Sequence, residues 1–233
     1  MTPGTAPIII LGRGHGGTRA IAETLVRSGV HMGRTLRAES FDALPCDPMH
    51  RAAKLAGMHV RSAGFLEWDY SALYGPPSRE YLDALKAYCR GVYAPGAWGW
   101  KLPETLLSFP WLRRFFPDAF YVWWRRDPRD ALRESHITDR LTDWGVQASP
   151  DRLTSWVYQE EIVRESLKVQ GTPARFLEIR FEDFVREQHT TLDRLESFLG
   201  FCLYRLRVDA SAVGRPNPFP VPTDILERYG YVL

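Results

Sequence analysis

Two short stretches concentrate the residues whose types and spacing can do chemistry. The first, "GRGHGGTR", spans residues 12–19 and carries glycines at 12, 14, 16 and 17. Glycines in this density let the backbone turn tightly, come close to a ligand, and aim its N–H groups inward as an anion nest. Thr18 adds a hydroxyl, and Arg13 and Arg19 add guanidinium groups suited to phosphate oxygens. Arg13, Gly14, His15, Gly16, Gly17, Thr18 and Arg19 therefore form one candidate phosphate-binding set. The second stretch, "RRDPRDALRESH", spans residues 125–136. The planar guanidinium of Arg126 can hold two phosphate oxygens at once. Asp127, Pro128 and Asp130 suit the first turn of a helix and its positive dipole end. The plain alternatives are a glycine-rich turn that binds nothing and a solvated helix start.

The spacing from Gly12 to Gly17 matches the phosphate loop GxxxxGK[ST]. Thr18, however, stands at the lysine position and Arg19 at the Ser/Thr position. The lysine that reaches terminal phosphates and the hydroxyl that holds Mg²⁺ are both missing. This argues against a Mg²⁺-dependent kinase or NTPase, which stays as the alternative reading. No His/Cys/Asp set shows metal-ligand spacing, so no metal is expected.

Elements that would position these residues are legible around them. Residues 6–12 form a short apolar run that reads as a buried parallel strand. Thr18 to Ser28 reads as a helix, with Ile21, Leu25 and Ala22, Val26 at i, i+4 spacing and Gly29 as the stop. Helices are expected over 47–58, over 78–92 with Ser78 as cap, over 103–116, onward from Pro128, over 150–170 and over 190–200. Strands are expected over 97–101, over 119–124 as a central strand, and over 174–181. Residues 64–78 read as loop with short turns, and the last thirty or so residues as mostly irregular. Strands alternating with helices imply an α/β fold, with a mainly parallel sheet covered on both faces. Both arginine-bearing loops follow strands, so both fall on the carboxyl edge of the sheet, where such folds bind ligands.

Composition sets the remaining bounds. The chain has 233 residues, 45% hydrophobic and 25% charged, which fits one soluble domain. A net charge of +2 gives no sign of nucleic-acid binding, so any basic site must be local. Cys46, Cys89 and Cys202 lie far apart and read as reduced thiols. With no apolar run of membrane-spanning length, the expected location is cytoplasmic. The sequence carries no signal for oligomeric state.

With both loops in place, "HGGTRAIAETL" (residues 15–25) resembles the 5′-phosphosulfate loop of sulfotransferases that use 3′-phosphoadenylyl sulfate (PAPS). The form is that of heparan sulfate-type and bacterial carbohydrate or small-molecule enzymes, with His15 where Lys or Arg is usual. "FYVWWRRDPRDALRES" (120–135) resembles the family's 3′-phosphate motif: an apolar strand, Arg-[D/N]-P-x-[D/E], then a serine on the following helix. "GWKLPETLL" (99–107) is similar to the K-x-P segment after the family's second strand. "FLEIRFEDFVREQHTTLDRLESFLGF" (176–201) is similar to its late strand-and-helix pattern, in which Phe181, Phe184 and Leu199 would be core. The resemblance covers residues 8–30 and about 97–201 in order.

That resemblance implies a P-loop-like three-layer domain over residues 1–233, PAPS as donor, PAP as product, and no metal. It implies Arg126 and Ser135 as 3′-phosphate ligands, although Glu134 occupies the usual serine position and Ser135 is one residue on. One residue turns a helix by ~100°, so a register shift is expected here. The acceptor would be a hydroxyl of a small molecule or carbohydrate, attacking sulfur in line. His15 and Lys101 would stabilise charge on the leaving oxygen. Glu39 stands at about the distance of the heparan-type enzymes' general base, with His59, His136 and Glu104 as rivals. Residues 31–96 would form the acceptor pocket and its cover, and residues 205–233 an irregular tail. The aromatic stretch 65–74 hints at a ring-bearing acceptor. A non-catalytic relative that only binds PAP(S) is the remaining alternative.

Overall fold

The computed structural model describes residues 6–215 and 219–231. Its strands are β1 (Ile8–Leu11), β2 (Thr35–Leu36), β3 (Ala43–Leu44), β4 (Arg61–Gly64), β5 (Glu67–Asp69), β6 (Gly99–Lys101), β7 (Phe120–Arg125) and β8 (Phe176–Arg180). Its helices are α1 (Thr18–Arg27), α2 (Asp47–Gly57), α3 (Arg79–Val92), α4 (Phe109–Phe115), α5 (Pro128–Ala131), α6 (Arg152–Gln170), α7 (Phe181–Arg186), α8 (Gln188–Leu199) and α9 (Thr223–Arg228).

Side-chain alternation along the central strands divides the interior into two cores. Ile8 and Ile10 of β1, with Val122 and Trp124 of β7, pack among residues of α1, α7 and α8. Ile9 and Leu11, with Tyr121 and Trp123, pack among residues of α2, α3, α4 and α6. A strand buried on both faces has no polar alternation, which is why these runs read as continuously apolar. The sheet runs β6-β1-β7-β8 with every neighbouring pair parallel. This is the α/β architecture expected, a parallel sheet between helical layers. The chain leaves β1 toward β6 on one side and later leaves β7 toward β8 on the other. The carboxyl ends of β1 and β7 thus flank the topological switch point, the preferred ligand crevice of such sheets.

Several local expectations change. The segment 103–116 is a 3₁₀ turn over Pro103–Ser108 followed by α4, not one helix. The Pro128 helix ends at Ala131, so residues 132–135 are not helical and no helical register applies to Ser135. Residues 64–78 are not plain loop. β4 and β5 form an antiparallel hairpin, with a 3₁₀ turn at Ser71–Tyr74 after it. Helices α2 and α3, expected within a cover, contribute to the larger core: Met49, Ala53, Leu85 and Tyr88 are fully buried there. The tail carries α9, which sets Tyr229 against Trp156 with ring centroids 4.9 Å apart. Residues 216–218 and 232–233 of that tail lie outside the described residues. Among the described residues no helix is long and apolar enough to cross a membrane.

Candidate active site

The turn between β1 and α1 is shaped by what surrounds it. Gly17 caps α1 at φ 79°, a left-handed conformation that side chains rarely adopt. A Cβ on Gly17 would stand 2.6 Å from the Phe181 ring, and one on Gly14 would stand 2.1 Å from the His136 ring. The loop is therefore wedged between β7's following segment and α7, and only bare backbone fits. Helix α1 begins with no side-chain cap and no acid in its first turn. Its first N–H groups and positive dipole end are left for an anion.

Arg126 follows β7 directly and lies beside this loop. Its Nη1 donates to the His15 carbonyl at 3.0 Å and its Nη2 to the Ala212 carbonyl at 2.5 Å. The guanidinium lies over the Phe181 ring, 4.6 Å from its centroid, and 3.9 Å from Asp130. Among the described residues its buried Nε has no hydrogen-bond partner. The tail helps to hold this corner: Gly214 N and Arg215 N donate to the Asp130 carboxylate at 2.8 and 3.1 Å. Arg126, Arg19, Arg133 and Arg215 share one cavity with Gly14, His15, Gly17 and Thr18. Its volume is about 690 Å³, ample for a nucleotide-sized ligand. An orphan arginine N–H, an open helix start and a backbone that tolerates no side chain together fit a phosphate-bearing donor.

His15 adopts φ 59° and spans two loops. Its Nδ1 stands 3.2 Å from Glu134 Oε2, and its Nε2 stands 3.1 Å from the Ser135 carbonyl. Both ring nitrogens thus face polar oxygens. Glu134 therefore meets a histidine, and its carboxylate has a partner other than a phosphate. Ser135 lines the cavity and lends its carbonyl to His15.

Two members of the expected set point away. The Arg13 guanidinium is buried, with Nη2 bonded to both Asp139 oxygens at 2.6 and 2.7 Å and Nη1 to the Gly14 and Ala131 carbonyls. It braces the loop from behind and does not line the cavity, which corrects its reading as a charged phosphate donor. Gly16 also lies off the cavity wall, donating its N–H to the Arg13 carbonyl at 3.0 Å.

At the other end of the cavity, β6 delivers Lys101. Its Nζ donates to Asp42 Oδ1 at 2.5 Å, and Ser40 Oγ donates to Asp42 Oδ2 at 2.6 Å. Burial lowers the lysine's pKa, against the opposing pull of Asp42. Glu104 is buried on the same wall, and burial lifts its carboxyl to about 7. Glu39 is exposed at the rim, its carbonyl accepting from Arg19 at 3.3 Å. Among the described residues the Glu39 carboxylate has no hydrogen-bond or ion-pair partner.

The rival bases separate. His59 packs edge-on against Trp111 at 5.0 Å and does not line the cavity. His136 does line it, but burial, then the nearby Arg13, hold its pKa down to about 4. Trp68, Tyr70 and Leu73 of the aromatic stretch pack into the core, so they do not line the cavity. Asp42 was missed. Its signal was weak, one acid in a region without a motif, and only the fold brings it to Lys101. A Cys46–Asp47–His50 grouping was also missed, although Cys-x₃-His at a helix start is visible as an i, i+4 pair.

Comparison with known proteins agrees with this geometry. No curated protein sequence matches the chain. In structure it is similar to the sulfotransferase domain from the curacin biosynthetic pathway, with TM-score 0.57, 14% identity and 98% of each chain covered. A sulfotransferase from Alicyclobacillus acidocaldarius aligns at TM-score 0.48 and 16% identity, over 96% of this chain and 89% of that one. A family model described as "Sulfotransferase family" matches residues 7–203, taking in the glycine loop, the segment around Arg126, β6 with Lys101, and the late strand and helices. The chain belongs to the sulfotransferase family, whose enzymes are PAPS-dependent.

Proposed function

We propose that this chain transfers a sulfuryl group from PAPS to a hydroxyl of a polar small molecule or carbohydrate. The observation that carries the reading is Arg126, buried beside the glycine loop with its Nε unpartnered among the described residues. In this reading the backbone of residues 14–18, the Thr18 hydroxyl and Arg19 hold the 5′-phosphosulfate. Arg126, with Ser135 and the neighbouring Arg215, holds the 3′-phosphate. Bound PAPS supplies the sulfuryl group and a phosphate leaving group.

Lys101 is the stronger candidate for meeting charge on the leaving oxygen. An ammonium has three donors, and its bond to Asp42 uses one of them. His15 bridges the two loops at the rim, with both of its ring nitrogens already facing acceptors. Glu39, at the rim and unpaired among the described residues, is the candidate to accept the acceptor's proton. The acceptor end is walled by Arg37, Ser40, Asp42, His50, Lys101 and Glu104, which favours a hydrogen-bonding acceptor over an apolar one. Residues 37–50, the sheet and the tail all contribute walls, which supports reading the chain as one domain.

The test is thermal stabilisation by PAP against ADP, which lacks the 3′-phosphate. PAP is expected to give the larger shift, and equal shifts would overturn the donor assignment. Labelled PAPS offered with a panel of polar hydroxyl acceptors then tests transfer. PAP binding without transfer to any of them would mark a non-catalytic relative.

A further inference from the structure

The start of α2 carries a second chemical grouping, at the acceptor end of the cavity. Cys46 is the N-cap, Asp47 the first helical residue, and His50 lies one turn on from Cys46, on the same face. The Cys46 sulfur, an Asp47 carboxylate oxygen and a His50 ring nitrogen all lie within 4.8 Å of one another. Ligands placed ~2.0–2.3 Å from a tetrahedral zinc ion stand roughly 3.3–3.8 Å apart. Small side-chain rotations therefore bring these three atoms around one ion.

An independent observation points to the same place. Glu104 comes from the 3₁₀ turn after β6 and is 2% exposed. Its Oε1 stands 3.7 Å from His50 Nε2, and its buried Oε2 has no hydrogen-bond partner among the described residues. A buried carboxylate oxygen left unpaired is costly. A cation held by the neighbouring histidine would offset that cost. Cys46, His50 and Glu104 all line the cavity that contains Lys101.

We propose that Cys46, Asp47 and His50 form a zinc site, with Glu104 behind His50 as the carboxylate that orients a metal-bound imidazole. A thiolate, an imidazole and a carboxylate select Zn²⁺ over Mg²⁺ or Ca²⁺, which prefer oxygen ligands. Binding takes the proton off the Cys46 thiol and leaves it a thiolate ligand. Three protein ligands leave the fourth position open toward the cavity. The site shares no residue with the donor cradle and stands apart from the donor reading.

The test titrates the metal-free full chain with Zn²⁺ by calorimetry and with Co²⁺ by absorption. Wild type is expected to take up one equivalent of Zn²⁺ and to give a thiolate-to-Co²⁺ charge-transfer band in the near ultraviolet. Cys46→Ser should lose the band, Cys202→Ser should keep it, and His50→Ala should weaken Zn²⁺ binding ~10-fold or more. No stoichiometric uptake by wild type, or a band that survives in Cys46→Ser, overturns the proposal. If Cys46→Ser fails to fold, Cys202→Ser and the wild-type spectrum decide, since Cys89 is buried and Cys46 is then the only thiol left within reach. The PAP thermal shift, run alongside, reports separately on the donor reading.

Discussion

His15 Nδ1 stands 3.2 Å from Glu134 Oε2, so the two residues that replace a basic residue and a serine in the phosphate-binding patterns touch each other. Taken singly, each replacement looks damaging: a histidine for a permanent cation, a carboxylate near a phosphate. Taken together, the carboxylate has a partner in the ring, and the ring is fixed between Glu134 and the Ser135 carbonyl. Because both side chains are partly exposed, their coupling should be modest, about 0.5–1 kcal/mol. A double-mutant cycle on PAP affinity, His15→Ala with Glu134→Gln, measures it. His15→Ala is expected to weaken PAP several-fold in wild type and by clearly less once Glu134 is gone. Strict additivity would mean that the contact has no bearing on the donor.

Arg126 should carry discrimination rather than general affinity. In the proposed reading, its removal takes one charge-assisted interaction from the 3′-phosphate and none from the 5′ end. Arg126→Ala is expected to weaken PAP by ~1.5–3 kcal/mol, roughly 10- to 150-fold. ADP should bind about as before. Arg126→Lys should restore only part of the loss, because a point charge cannot bind two oxygens in parallel. Dissociation constants for both nucleotides, measured calorimetrically on the three proteins, check this. A parallel loss of ADP affinity would point to collapse of the corner that Arg126 shares with Ala212.

The packing of Gly14 predicts a stability effect with a rescue. A Cβ there would lie 2.1 Å from the His136 ring, whose Nδ1 accepts from Thr138 N at 3.3 Å and so is not free to swing away. Gly14→Ala should cost ~1–3 kcal/mol in the manner of other overpacked positions. Combining it with His136→Ala should recover much of that loss. Urea unfolding of the single and double variants decides it. A double variant no more stable than Gly14→Ala would place the strain in the backbone instead.

How much of this was readable in advance follows from where the information lies along the chain. The strand 6–12 was legible as an unbroken apolar run and the helix 18–28 from its i, i+4 apolar spacing, with local glycines ending both. The position of Arg126 beside the glycine loop was legible because an apolar strand ends just before it. The short reach of α5 was not, because Pro128 and two aspartates announce a start while nothing nearby announces a stop. The role of Arg13 was equally hidden. Its partner Asp139 lies 126 positions away, and no local pattern distinguishes a buried arginine from one that reaches a ligand. Asp42 and Glu104 belong to the same class, since their neighbours come from other elements.

Arg13 consequently makes a prediction opposite to that of Arg126. It is a buried ion pair with Asp139, and breaking such a pair by removing one partner leaves an unpaired charge inside, at ~3–5 kcal/mol. Asp139→Ala and Arg13→Ala should therefore lower the unfolding midpoint strongly. The protein that remains folded should still prefer PAP to ADP. Loss of that preference in a folded Arg13 variant would put its guanidinium back among the donor ligands.

His136 gives the pH dependence a defined sign. Burial first, and then the charges of Arg13 and His15, hold its pKa down to about 4, against an ordinary value near 6.5. Between those values the unfolded chain binds a proton that the native protein does not. Stability linked to this ring is therefore fully present above about pH 6.5. It drains as the pH falls, until the native ring protonates near 4. The loss can reach about 3 kcal/mol. His136→Asn removes the titration while keeping an oxygen that can accept from Thr138 N. Urea midpoints at pH 7.5 and pH 5 should move apart in wild type and lie closer together in His136→Asn. The same separation in both proteins would mean that the ring is already charged in the native state, or that other acids dominate the limb.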